Sequence, residues 1–178
     1  PRRLSMAVSF QHPEGAEYAR QLERATQRLK SGAIDRVRIM WCDLHGQTRG
    51  KVLTPQAALR ALHEGVSMVS TLMLKDTSDR TAYKVFEPGG TDSLPGFGQA
   101  NNLLLRPDPA SLCLLPFSPG SAWMQAQPYF QDGMPVELDT RRVLQRALEQ
   151  LAQAGLGLRC GLEVEFHIYR IVNTMAQL

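Results

Sequence analysis

Residues 34–53, IDRVRIMWCDLHGQTRGKVL, contain two alternating runs separated by a glycine-bearing turn. In the first run Val37, Ile39 and Trp41 share one face, and the opposite face is mostly arginine. A side-chain period of two is typical of a half-buried β-strand. Short turns that contain glycine commonly join antiparallel strands. The sequence therefore predicts a β-hairpin, LHGQ forming its turn and TRGKVL its second strand.

A helix is predicted on each side of this hairpin. Residues 13–30 place apolar side chains at intervals of four, three and four residues, and Gly32 stands where a C-terminal cap belongs. After the hairpin, Thr54 supplies a capping hydroxyl and Pro55 a first helical residue, for a helix that ends near residue 64.

The middle of the chain predicts more strands around one long loop. Residues 66–74 predict a strand, and residues 75–100, rich in glycine, proline, serine and aspartate, predict a loop. Loops of this length in a compact domain often serve as lids or interaction surfaces. Three further short strands are predicted at residues 102–106, 111–115 and 122–129. Together these elements form a mixed sheet with helices on it, an α+β fold.

The last part of the chain predicts a second unit, which begins near residues 131–136. Asp139 is a helix cap, and an apolar stripe follows that ends at Gly155. Residues 158–169 then form an apolar run bounded by glycine, which predicts a strand.

The composition is that of a globular protein with a buried core. The chain has 178 residues, of which 43% are hydrophobic and 21% charged. No apolar run approaches the roughly 18 residues of a membrane span, so no membrane association is expected. Cys42, Cys113 and Cys160 are widely spaced inside apolar runs, which predicts buried, reduced thiols in a cytoplasmic protein.

The net charge of +3 is unevenly distributed, because residues 1–60 carry +6 and the remainder −3. A basic first third could meet nucleic acid or an acidic neighbouring subunit. Arg20, Arg24 and Arg28 recur at helical spacing, however, which indicates one solvated helix face. No aromatic residues interleave with them as a base-stacking surface would require. A nucleic-acid partner is therefore not predicted.

Glu163 and Glu165 stand two residues apart on the last predicted strand, so both carboxylates share one face. Two carboxylates on one face repel each other unless cations lie between them, and hard divalent ions prefer carboxylate oxygen. A strand with one solvated face explains the same pattern equally well. His167 continues this face and is more simply a packing residue than a ligand.

A polar cluster accompanies the first hairpin, at Asp43, Gly46, Arg49, Gly50 and Lys51. Hairpin turns routinely use these residue types, so turn formation is favoured over direct substrate contact. The sequence has no Walker loop, dinucleotide fingerprint, nucleophile elbow or zinc spacing.

Several short motifs, taken in order, resemble the front part of a glutamine synthetase. They cover roughly residues 34–169 and read DLHG (43–46), RGKV (49–52), RPDP (106–109), LPF (115–117), DG (132–133), DTR (139–141) and GLEVEF (161–166). The resemblance implies a flexible segment at residues 1–12, a β-grasp-like domain at 13–130 and the start of the catalytic domain at 131–178. It also implies that Glu163 and Glu165 each ligate one of two divalent metals, Mg²⁺ or Mn²⁺.

The family's chemistry, and so the expected function, is ATP-dependent amide formation. The γ-carboxylate of glutamate is phosphorylated by ATP, and ammonia displaces phosphate to give glutamine. The family's active sites lie between subunits of a ring homo-oligomer, which makes the loop at 75–100 an expected interface or lid. The chain stops before the remaining metal ligands and the ATP- and glutamate-binding residues, so these 178 residues alone are expected to be inactive. The specific catalytic and ATP-binding residues are not assigned.

One departure concerns the amine. Glutamine-forming members commonly carry an Asp-Gly-Ser-Ser segment whose aspartate binds ammonium, but residues 68–71 here read MVST. This favours an alternative product, a γ-glutamyl-polyamine or other γ-glutamyl amide, with Asp76 or Asp79 as candidate replacement acids. A third alternative, of another class, is a non-catalytic β-grasp assembly module.

Overall fold

The computed structural model describes residues 15–98 and 101–170. Within these ranges, six strands form one mixed sheet accompanied by three α-helices. The elements are α1 (Ala16–Lys30), β1 (Arg36–Cys42), β2 (Thr48–Leu53), α2 (Pro55–Glu64), β3 (Val66–Val69), β4 (Asn102–Pro107), β5 (Cys113–Leu114), β6 (Ser121–Tyr129) and α3 (Thr140–Gln153). None of these helices is both long enough and apolar enough to cross a bilayer. The segment at 1–12 lies outside the described residues.

The predicted hairpin is confirmed and lies at one side of the sheet. Along the sheet the strand order is β2-β1-β6-β4-β3, and β5 pairs with β6. The β1–β2 pair is antiparallel, and Trp41 faces Arg49 across it. The central β1–β6 pair is parallel, whereas β4 runs antiparallel to both β6 and β3. The fold is therefore mixed α and β.

The core lies between one face of the sheet and the helices α1 and α2. Alternate residues of β1 and β6 are buried there, as the alternating sequence predicts. Thr54 caps α2 by accepting a hydrogen bond from the Ala57 N–H. The core includes Val37, Ile39, Trp41, Ala58, Leu62, Leu103, Leu105, Met124 and Val136.

The strand predicted at residues 66–74 is too long. Only Val66–Val69 is a strand, and Ser70–Leu74 is a short 3₁₀ helix. The strand ladder ends where Val69 pairs with Asn102, the first residue of β4, although the Ser70 N–H still donates to the carbonyl of Asn101 at 2.8 Å. The chain turns there and buries Met73 and Leu74.

The long loop is packed against the fold in its described part, residues 75–98. Val85 and Phe97 are buried, and the Phe97 ring meets the Phe130 ring edge to face at 5.3 Å. Phe86 is 85% exposed. The loop is anchored by its interior residues while it presents an aromatic side chain to solvent.

The three cysteines are exposed, so the prediction of buried thiols is wrong. Strand register explains Cys42, because burial alternates along β1 and Trp41 occupies the inward position before it. Cys113 belongs to the two-residue strand β5, both of whose residues are exposed. Cys160 lies in an exposed segment beyond α3.

The strand predicted at residues 158–169 does not form a ladder. Residues 156–170 have no strand partner and are exposed throughout. Their apolar side chains are exposed, Leu162 to 91%. A strand needs a neighbour to satisfy its backbone, and none of the described strands lies beside this segment.

Candidate functional site

The first candidate site is the pair Glu163 and Glu165. Both lie in the exposed extended segment beyond α3. The His167 and Tyr169 rings, also two residues apart, have centroids 6.0 Å from each other, which fits alternate side chains on one side of an extended chain.

The donor chemistry of this pair suits a hard divalent cation, but the set is incomplete. Magnesium takes about six oxygen ligands, of which two carboxylates supply only part. Residues 15–98 and 101–170 contain no group of three or more histidine, cysteine, aspartate or glutamate side chains that could hold a metal ion. The described chain therefore holds at most a fraction of a metal site.

The second candidate site is built on Asp43, where β1 ends. Gly46 has a φ of +77°, which permits the tight turn that follows Asp43. Oδ1 of Asp43 accepts hydrogen bonds from the backbone N–H groups of His45 and Gln47, both at 2.9 Å. Oδ2 accepts one from Nε of Arg49 at 2.8 Å. Asp43 is only 2% exposed, so this is a buried and fully bonded carboxylate.

Arg49 links this hairpin to the start of the long loop. Its second nitrogen donates to Oδ1 of Asp79 at 2.6 Å, so one guanidinium spans two carboxylates that are distant in sequence. His45 makes a second link, through Nε2 and the carbonyl oxygen of Lys75 at 2.9 Å. The ammonium of Lys75 donates to the carbonyl of Asp79 at 3.1 Å.

These contacts set the charge state of the cluster. Burial acts to raise the pKa of Asp43, but Arg49 and the N–H groups of His45 and Gln47 together hold it below its ordinary value. The hydrogen bond from Arg49 lowers the pKa of Asp79. The same two carboxylates, Asp79 first, raise the pKa of Arg49. All three groups are therefore charged at neutral pH.

A pocket of about 340 Å³ lies between the hairpin turn and the loop. Its lining residues are Asp43, His45, Gln47, Arg49, Asp76, Thr77 and Asp79. Oδ1 of Asp76 accepts the backbone N–H groups of Ser78 and Arg80, at 2.8 and 2.9 Å. Neither Asp76 nor Asp79 is a free acid, because the first closes its own turn and the second pairs with Arg49.

The structure brings together some of the residues that the sequence singled out and leaves others apart. Asp43 and Arg49 line the hairpin side of the pocket, and Gly46 lies in the turn between them, which supports the turn-forming role. A Cβ on Gly50 would come 2.1 Å from the carbonyl oxygen of Ile39, so this glycine permits close packing. Lys51 is exposed. The Arg49–Asp79 contact was not predicted, since complementary charge was its only signal in the sequence.

The chain was compared with known proteins. No family model matches it. It is 25% identical over 154 residues to a γ-glutamylanilide synthase of Acinetobacter, covering 85% of this chain and 31% of the relative. It is 31% identical over 143 residues to a γ-glutamylethanolamide synthetase of Streptomyces coelicolor, covering 80% and 30%. A glutamine synthetase of Pyrococcus abyssi is 25% identical over 150 residues, covering 80% and 28%. The chain is a member of the glutamine synthetase family.

A solved glutamine synthase homologue shares the fold of this family member. The TM-score is 0.54 at 23% identity, and the match covers 68% of this chain and 27% of that one. The chain spans less than a third of the length of the curated glutamine synthetase relatives above. The match therefore concerns less than a third of each of these proteins.

Proposed function

We propose that this chain is the amino-terminal part of an ATP-dependent glutamate ligase that forms γ-glutamyl amides. The observation that carries the proposal is the match across 80% or more of the chain to proteins named for such products. In the proposed reaction, the γ-carboxylate of glutamate attacks the terminal phosphorus of ATP and ADP leaves. The amine then attacks the acyl phosphate, phosphate departs, and the nitrogen loses a proton.

Ammonia is the first candidate for the amine, which makes the product glutamine. A larger amine is the second, and residues 68–71 favour it. No carboxylate stands there, Ser70 and Thr71 are buried, and the Ser70 hydroxyl accepts the N–H of Asn101. Relatives named for anilide and ethanolamide products support this second candidate.

In this proposal Glu163 and Glu165 are ligands for Mg²⁺ or Mn²⁺. Such ions would neutralise phosphate charge during phosphoryl transfer. The described chain supplies two carboxylates of that set. We therefore expect the 178-residue chain to bind Mn²⁺ only weakly, with a dissociation constant on the order of millimolar.

We also propose that the chain comprises two domains. Residues 13–130 form the β-grasp-like domain, and residues 131–178 begin the catalytic domain of a cytoplasmic ring homo-oligomer. Two features support the division. No residue of α3 is buried, and Val136 is the last buried apolar residue of the described chain. The exposed Phe86 on the anchored loop supports an interface role for residues 75–100.

The deciding experiment uses the full-length protein from the source cells. Its intact mass is measured, and ATP hydrolysis is then followed with glutamate and a panel of ammonia, alkylamines, arylamines and polyamines. Amine-dependent release of ADP supports the ligase, and the best amine identifies the product. A protein that ends near Leu178 and shows no turnover would instead establish the non-catalytic assembly module.

The metal assignment has its own test in the same full-length protein. We expect E163Q and E165Q each to weaken Mn²⁺ binding at least tenfold, in line with the loss of one ligand. E149Q on α3 is a matched control, because Glu149 is an exposed glutamate nearby in sequence. Equal Mn²⁺ affinity in all three variants would remove Glu163 and Glu165 from the metal site.

A further inference from the structure

We propose that Asp43, Arg49 and Asp79 form a conformational latch, which holds residues 75–81 against the β1–β2 turn and can release them. The proposal goes beyond the ligase function and does not depend on it. It rests on contacts within the described residues alone, and the 178-residue chain is sufficient to test it.

The hairpin supplies the fixed half of the latch. Asp43 is buried and accepts three hydrogen bonds, so it cannot move without losing all of them. The Arg49 side chain is only 17% exposed and is tied to this carboxylate through Nε. The hairpin therefore presents the outer nitrogen of one guanidinium at a set position.

The loop supplies the releasable half. The Asp79 side chain is 66% exposed, and an ion pair in water contributes little net stability. Asp79 also has a φ of +60°, a left-handed conformation that costs free energy in any residue with a side chain. The gain from the ion pair and the cost in the backbone oppose each other. The remaining side-chain link described between this segment and the hairpin turn is the hydrogen bond between His45 and the carbonyl of Lys75, so we expect the docked and released states of residues 75–81 to be close in free energy.

Release of residues 75–81 would be detectable at two backbone amides. When Asp79 loses Arg49, it is free to return to negative φ, and this breaks the hydrogen bonds that span it. Those bonds run from the Asp79 N–H to the carbonyl of Asp76 at 3.0 Å and from the Arg80 N–H to Oδ1 of Asp76 at 2.9 Å. Exchange of these two amides therefore reports the released state.

The test is residue-resolved hydrogen exchange on the 178-residue chain. Asp79→Asn removes the outer charge, keeps a residue that tolerates left-handed backbone, and leaves the Asp43–Arg49 pair in place. We expect amides 79 and 80 to exchange about tenfold faster than in the unsubstituted chain, with β1 unchanged. Raising the salt from about 0.05 to about 0.5 M should accelerate their exchange in the unsubstituted chain and not in D79N.

Two further variants show whether the guanidinium itself is the latch. Arg49→Lys keeps the charge, but a single ammonium does not span both carboxylates as the guanidinium does. Amides 79 and 80 of R49K should therefore exchange as fast as those of D79N. Lys51→Gln removes an exposed charge from the same strand and should leave amides 79 and 80 unchanged. Unaltered exchange and salt dependence in D79N, or in a folded R49K, would overturn the proposal.

Discussion

Asp43 is a buried carboxylate whose loss should destabilise this fold. Asp43→Asn keeps an acceptor for the turn but leaves the largely buried Arg49 without its inner counter-charge. We expect the free energy of unfolding to fall by about 2 kcal/mol, since one partner of a mostly buried ion pair has been removed. Urea unfolding measures this fall in the free energy of unfolding. Asp92→Asn, at an exposed position, is the control, and an equal loss there would contradict the assignment.

Asp43, together with Asp79, should make the stability of the fold depend on pH. The pKa values of Asp43 and Asp79 lie below their ordinary values in the fold. A carboxyl with a lowered folded pKa stabilises the fold above its unfolded pKa, and that stability is lost as pH falls through the folded value. We therefore expect the free energy of unfolding to decline below about pH 4. Urea unfolding at a series of pH values should show a shallower decline in D43N, and parallel curves would refute this.

At the scale of an element, the first turn of α2 depends on one hydroxyl. Oγ1 of Thr54 accepts the Ala57 N–H at 3.2 Å, and α2 buries Ala58, Ala61 and Leu62 in the core. Thr54→Ala should cost about 1 kcal/mol of unfolding free energy, because a buried helix loses its N-cap. Thermal or urea unfolding measures the loss. Thr54→Ser restores the oxygen and should recover most of it, so a serine variant as unstable as alanine would disprove the cap.

Elements with strong local patterns could be predicted from the sequence. The alternation of Val37, Ile39 and Trp41 encodes β1, and Thr54-Pro55 marks the start of α2. In each case the interactions that decide the structure lie within a few residues of one another.

Features that depend on distant partners could not be predicted. The extent of β3 depends on its pairing with the distant strand β4, which ends at the Val69–Asn102 pair. Arg49 meets Asp79 only because the loop folds back over the hairpin. The metal role of Glu163 and Glu165 stays a prediction, since the described chain brings no third ligand to them.

At the scale of the whole molecule, stability is unevenly distributed. Residues 156–170 are exposed and unpaired, whereas the loop at 75–98 is anchored by Val85 and Phe97. Among the described residues, limited proteolysis should therefore cut first within 156–170, because exposed backbone outside any strand or helix opens at little cost. Mass spectrometry of the early fragments identifies the cut sites. First cuts inside 75–98 would show that the anchoring is weaker than the packing implies.

The parallel pairing of β1 with β6 has a consequence for how the molecule folds. Arg36 lies beside Ser121, so the centre of the sheet joins two segments from opposite ends of the domain. The β1–β2 hairpin forms from neighbours in sequence, but the second edge of β1 has no partner until β6 arrives. Contacts between such distant segments raise the contact order and slow folding. On the ribosome, β1 keeps an unpaired edge while the 67 residues between the end of the hairpin at Leu53 and the start of β6 at Ser121 are synthesised. We expect that interval to carry the greatest risk of aggregation.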